Sequence, residues 1–145
     1  MTVGRVIRLE RHMRATPESV FRYLTEPALW SRWQGQAVVL DPVPSGMFRV
    51  TMDEGQVVEG RFLEIEPNAR VVVTWGWHGH PRMPPGTTTV EFDLVPDDGG
   101  TLLRLTHHGL PPEDLPMHQA GWDLYAERLA TVVEGGDPGT DPNAS

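Results

Sequence analysis

The sequence predicts an α+β domain in which a seven-stranded curved antiparallel sheet is covered by one long C-terminal helix, with two short helices near the start. Three observations carry this reading. Seven short stretches alternate apolar and polar residues with a period of two, and Pro, Gly, Asn and Asp turns separate them. Two short helical patterns lie between the first and second stretches. Beyond Gly109 the period changes to 3.6 and holds to Val133. An antiparallel sheet with one apolar face must bury that face, and only the last helix is long enough to cover it.

In chain order, residues 6–13 interleave Val6, Ile7, Leu9 and Met13 with charged neighbours, as a half-buried strand does. Thr16, Pro17 and Glu18 form a helix start: a capping hydroxyl, a proline where no amide partner is lost, and an acid at the positive end of the dipole. Glu26 and Pro27 break this helix, and Pro27 opens a second one over 27–33 with Leu29, Trp30 and Trp33 on its apolar side. Strands follow at 37–40, 47–52, 56–65, 70–77, 87–95 and 101–108. Gly60, inside the fourth strand, signals a bulge or a close backbone approach. The run 97–100 is a hairpin turn. The final helix starts at Asp114 or Leu115 and stops at Gly135 and Gly136. Its apolar stripe is read as Met117, Ala120, Gly121, Leu124, Tyr125, Leu129, Val132 and Val133, with His118 and Trp122 on the flank. Residues 1–135 are expected to form the domain. Residues 136–145 offer no apolar anchor and are expected to be a disordered tail.

Composition narrows the chemistry. The 145 residues are ordinary for one globular domain, and no apolar run approaches the length of a membrane span. The chain opens with no apolar signal core, which predicts a cytoplasmic location. It contains no cysteine, which excludes disulfides and thiolate nucleophiles. All twelve basic residues are arginine, so no Schiff-base lysine exists. A net charge of −8 argues against a nucleic-acid partner. No P-loop, dinucleotide fingerprint or nucleophile elbow occurs, and no cofactor is expected.

Strand alternation assigns an inner face. Phe48, Val50 and Met52 share it, as do Val71, Val73, Trp75 and Trp77, then Thr88, Val90, Phe92 and Leu94, then Leu103, Leu105 and His107. The fourth strand is ambiguous: Val58 and Phe62 have one parity, Val57, Leu63 and Ile65 the other. If Gly60 bulges, Glu59 or Arg61 turns inward and becomes an acid–base candidate. Among the five tryptophans, Trp30, Trp33 and Trp122 are read as core, and Trp75 and Trp77 as residues near a cavity mouth. His78 and His80 sit in a Pro- and Gly-rich loop with no nearby carboxylate, and His107 and His108 point to opposite faces, so no metal site is expected.

The residues then become familiar. Residues 16–21 with Leu29, Trp30 and Trp33, the run 60–67, the run 73–75, and Gly100 and Thr101 with Leu103 and Leu105 recur in one order with His107 to Leu110, His118, Gly121 and Trp122. In these features the chain resembles the SRPBCC (START-like) superfamily, specifically the branch of heat-shock-protein-90 ATPase activator homologues found as small single-domain bacterial proteins. The resemblance runs from about Arg5 to Val133. It implies a helix-grip fold around a cavity, often for an apolar small molecule. Members include lipid carriers, hormone receptors, polyketide cyclases and co-chaperones. The eukaryotic co-chaperones carry an additional N-terminal domain, which weighs against a chaperone partner here.

Together these readings nominate a pocket for a small hydrophobic molecule. Its expected lining is Trp33, Phe48, Val50, Met52, Val73, Trp75, Trp77, Thr88, Val90, Phe92, Leu105, His107, His118, Gly121, Trp122 and Tyr125. Two alternatives accompany it: a cyclase or dehydratase using His107, His118 or Tyr125 as acid–base, and a chaperone or other protein-interaction module. A homodimer is compatible with all three.

Overall fold

A computed structural model describes residues 6–53 and 55–144. The readings made for the first five residues and for Ser145 lie outside them. The element order is β1 Val6–Met13, α1 Pro17–Thr25, α2 Pro27–Trp30, β2 Ala37–Leu40, β3 Met47–Asp53, β4 Gln56–Glu66, β5 Arg70–Trp75, β6 Thr88–Asp97, β7 Gly100–His108, a 3₁₀ turn Pro112–Asp114, and α3 Leu115–Val133. All seven strands join one antiparallel sheet in the order β1-β7-β6-β5-β4-β3-β2. This is the helix-grip architecture the sequence predicts.

Local chemistry explains the boundaries. The Thr16 hydroxyl accepts from the Ser19 amide at 3.1 Å, and Pro17 occupies the first turn of α1. Helix α2 is shorter than expected. Its α-helical span ends at Trp30, and tight turns carry the chain on, with the amides of Arg32 and Trp33 donating to the carbonyls of Leu29 and Trp30. Strand β5 ends at Trp75 rather than Trp77, because Trp77 leaves the ladder and forms an isolated bridge to Val58.

Gly60 decides the parity of β4. A Cβ there would sit 1.9 Å from the carbonyl oxygen of Thr74, so only glycine lets β4 and β5 approach this closely. The pairing register shifts just beyond it, between Phe62 and Glu64. Val58 and Phe62 consequently face inward, and Leu63 faces solvent. Glu59 and Arg61 do not turn in. Glu59 instead pairs with Arg49 at 2.9 Å, and the Arg61 amide donates to the Thr74 hydroxyl at 2.8 Å. Their acid–base candidacy is thereby corrected.

The core lies between the concave face of the sheet and the helices. Trp30 stacks against Trp33, Phe48 and Phe92 at centroid separations of 4.7, 5.2 and 5.9 Å. From α3, Trp122 reaches Trp75, Phe92 and His107. The buried stripe of α3 is His118, Trp122, Tyr125, Leu129 and Val132, an i, i+4, i+7 pattern. It is rotated from the expected stripe: Met117 is 73% exposed, while His118 and Trp122 occupy the centre. An aromatic flank outweighs a flexible thioether in burial, and the helix turns to bury the larger surfaces.

Most of the segment expected to be a disordered tail makes defined contacts with the domain. Residues 137–144 lie back against α3, held by polar rather than apolar anchors. The buried Arg128 guanidinium donates to the carbonyls of Trp33, Pro138, Gly139 and Thr140. Asp141 accepts from the Gly35 amide at 2.8 Å and from the Tyr125 hydroxyl at 2.9 Å.

Candidate ligand-binding cavity

A part-open cavity of about 310 Å³ lies at one end of the grip, between α3, the ends of β3 and β5, and the returning C-terminal segment. Its wall combines Trp75, Trp77, Trp122 and Tyr125 with Met52, Met117, His118 and Gly121, and with the polar residues Gln34, Asp53, Gln56 and Asn143. Pro142 completes the rim. Each segment brings its residues for a local reason. The β3–β4 register shifts between Thr51 and Asp53, and the last pair of that ladder, Asp53 with Gln56, stands at the cavity wall. The departure of the chain after β5 carries Trp77 to the mouth, 6.2 Å from Trp75.

Seven of the sixteen nominated positions meet here: Met52, Trp75, Trp77, His118, Gly121, Trp122 and Tyr125. The others share the inner face but lie deeper. Phe48, Val50, Val73, Val90, Phe92 and Leu105 are packed among core side chains, with Trp33, Thr88 and His107 beside them, and none of these nine lines the cavity. Gln34, Asp53, Gln56, Met117, Pro142 and Asn143 line it without having been nominated.

Glycine at position 121 is conspicuous. It sits mid-helix, where glycine costs ~1 kcal/mol relative to alanine. A Cβ built there meets nothing within 4 Å. The helix therefore forgoes stability at a point where the missing side chain leaves cavity space.

The histidines are structural. The indole N–H of Trp122 donates to His107 Nδ1 at 3.0 Å. An indole nitrogen cannot accept, so the proton of His107 resides on Nε2. That group donates to the Thr88 hydroxyl at 2.8 Å, and Thr88 donates on to the carbonyl of Trp75 at 2.7 Å. His118 follows the same logic: Trp77 donates to its Nε2 at 3.1 Å, and its Nδ1–H donates to the carbonyl of Asp114 at 2.8 Å. Burial pushes His107 down to about 3, with the nearby rings of His118 and His108 adding to the effect. Burial likewise lowers His118. Both imidazoles are neutral and have both nitrogens committed, which leaves neither a free position for proton transfer.

Tyr125 donates to the Asp141 carboxylate and accepts from the Asn143 amide at 3.1 Å. Burial first, then the Asp141 carboxylate, hold its phenol above the ordinary value. Below the cavity, Asp114 clamps the 78–87 loop to the start of α3. It accepts twice from Arg82 at 3.0 Å and once from His80 at 3.1 Å. The Arg82 guanidinium holds the Asp114 carboxyl below its usual range. His78 meets Glu59 at 2.9 Å, so both loop histidines do have carboxylate partners, contrary to the sequence reading. No group of three metal-ligating side chains forms among the described residues.

Two buried polar atoms have no hydrogen-bond partner among the described residues: Asp53 Oδ1 and the indole N–H of Trp75. Both residues line the cavity. An unmet buried polar group costs about 1–3 kcal/mol.

A curved sheet gripping an amphipathic helix, with a walled cavity left between them, defines a small helix-grip domain of the SRPBCC type. Residues 14–134 match the family described as activator of Hsp90 ATPase homolog 1-like protein, and the chain belongs to that family. It is similar to an AHSA1-like protein from Rhizobium etli, at 40% identity and a TM-score of 0.78, covering 100% of this chain and 91% of that one. A crystal structure from Mesorhizobium loti shares 28% identity and a TM-score of 0.82, covering 92% of this chain and 99% of its own. The human activator of 90 kDa heat shock protein ATPase homolog 1 is 25% identical over 119 residues, 82% of this chain and 34% of that protein. The chain thus spans about a third of the length of the curated relatives it matches. No helix among the described residues is long and apolar enough to cross a membrane.

Proposed function

We propose that the domain binds a small, largely apolar molecule in the cavity between α3 and the ends of β3 and β5. The observation that carries this reading is the combination at one place of three indoles, unfilled space beside Gly121, and two unpartnered buried polar atoms. A wall of aromatic surface with a few polar groups is the common make-up of a small-molecule site. The cavity volume falls at the compact end of the usual range of about 300–1,000 Å³. The committed nitrogens of His107 and His118 speak for binding rather than for histidine acid–base chemistry.

Native mass spectrometry of freshly purified protein, with thermal-shift measurements against neutral 1-naphthalenemethanol, tests the reading. A co-purifying small molecule or a ligand-dependent rise in Tm is expected, and Gly121→Leu should abolish either. Absence of both signals in the native protein would end the proposal.

A further inference from the structure

Resting on that reading of the cavity, we propose that its ligand carries a positive charge: a compact amine or quaternary ammonium compound held between Asp53 and the indole wall. The argument is an inventory of the lining. Among the described residues, Asp53 is its only formally charged side chain. The chain has no lysine, and no arginine among the described residues lines the cavity. His118, the remaining basic group on the wall, gives its Nε2 to Trp77 and its Nδ1–H to Asp114, so it supplies no cation. A carboxylate or phosphate ligand would enter beside an acid and find no counter-ion, with its hydration shell lost.

A cation meets the reverse situation. Asp53 Oδ1 lacks a donor among the described residues, and an ammonium N–H is a strong one. Trp75, Trp77 and Trp122 converge on the same space, and the face of an indole attracts a cation more strongly than that of tyrosine or phenylalanine. Aromatic walls with one acid are the chemistry by which proteins recognise ammonium groups. The unpartnered Trp75 N–H adds a second requirement, because it can only donate. It calls for an acceptor such as a hydroxyl, ether or carbonyl oxygen elsewhere on the same molecule. The net charge of −8 draws cations toward the whole molecule, but salt screens that field, whereas a partner at Asp53 acts at contact.

Isothermal titration calorimetry with three matched probes tests this: 1-naphthalenemethylamine, 1-naphthalenemethanol and 1-naphthoic acid, near neutral pH and at physiological salt. The amine should bind most tightly and the acid at least about tenfold more weakly. Asp53→Asn should bring the amine down to the level of the alcohol measured on the same variant. N-acetyl-1-naphthalenemethylamine, which keeps the ring but loses the charge, should lose the advantage on the native chain. This arm needs no variant to fold. If the acid binds as well as the amine, or if Asp53→Asn keeps the amine preference, the charge assignment is overturned while the cavity reading stands. If the alcohol and the amine both fail to bind, the cavity reading falls with it.

Discussion

Gly121 offers a direct test of the idea that the cavity exists at the expense of stability. Replacing it with alanine adds a Cβ that meets no atom within 4 Å, so no steric cost offsets the gain in helix propensity. That gain is ~1 kcal/mol in a helix interior. For a domain of this size it corresponds to a rise in Tm of about 3 °C. Gly121→Leu carries the same propensity gain and also places a branched side chain in the space bounded by Trp75, Trp77 and Trp122. The expected pair of outcomes is therefore opposite in sign: both variants unfold at higher temperature than the parent, and the leucine variant loses the quenching of tryptophan fluorescence by 1-naphthalenemethanol. Calorimetric melting and a fluorescence titration measure the two. A Gly121→Ala protein that melts earlier than the parent, or a Gly121→Leu protein that binds the alcohol undiminished, would refute the reasoning.

Three further outcomes follow from the buried polar groups. His107 is held down at about 3, and the unfolded chain titrates near pH 6.5. Between these values the unfolded state binds more protons, so stability is complete above about pH 6.5 and falls as the pH drops toward 3. Urea titrations at pH 7 and 5.5 should differ by about 1.3 kcal/mol from His107, and a flat profile would show that His107 is not held neutral. The lowered carboxyls of Glu59, Glu91, Asp114 and Glu134 lose their contributions only at lower pH, so this window isolates the histidines. Asp114→Asn should cost about 2 kcal/mol by weakening the bonds to Arg82 and His80, and hydrogen exchange should quicken across residues 78–87. Unchanged exchange in that loop would mean that the clamp does not hold it. Tyr125→Phe removes the phenolic link to Asp141 and Asn143 and should cost about 1 kcal/mol, with faster carboxypeptidase trimming of the last residues; an unaltered trimming rate would count against the docked segment.

Much of the fold was legible because the strands obey a period of two, and residues such as Phe48, Val50, Phe92 and His107 are buried on the parity they declare. The cap at Thr16 and the start of α3 were legible for the same local reason: their signals lie within a few neighbouring residues. The errors arose where long-range partners decide. Helix α3 turns toward His118 and Trp122 because Trp122 meets Trp75 and His118 meets His107 across the chain, which no stripe on one helix reveals. The segment after Gly136 docks through main-chain carbonyls and one aspartate, so a search for apolar anchors passed over it. Asp53, Gln56 and Asn143 belong to the cavity only because the ends of β3 and β4 meet α3 and the C-terminal segment, which are distant from them in sequence. Asp53, two residues before Gly55, had a local cue in its turn chemistry.

The guanidinium of Arg128 has a practical bearing on anyone who trims this protein. Deleting residues 137–144 as dispensable would remove its carbonyl acceptors at Pro138, Gly139 and Thr140 and leave only that of Trp33. The same cut would take away Pro142 and Asn143, and with them one side of the cavity mouth. A shortened protein would then be assayed with a wider doorway and an under-solvated cation at its hinge, and its ligand preferences would describe the truncation rather than the native chain.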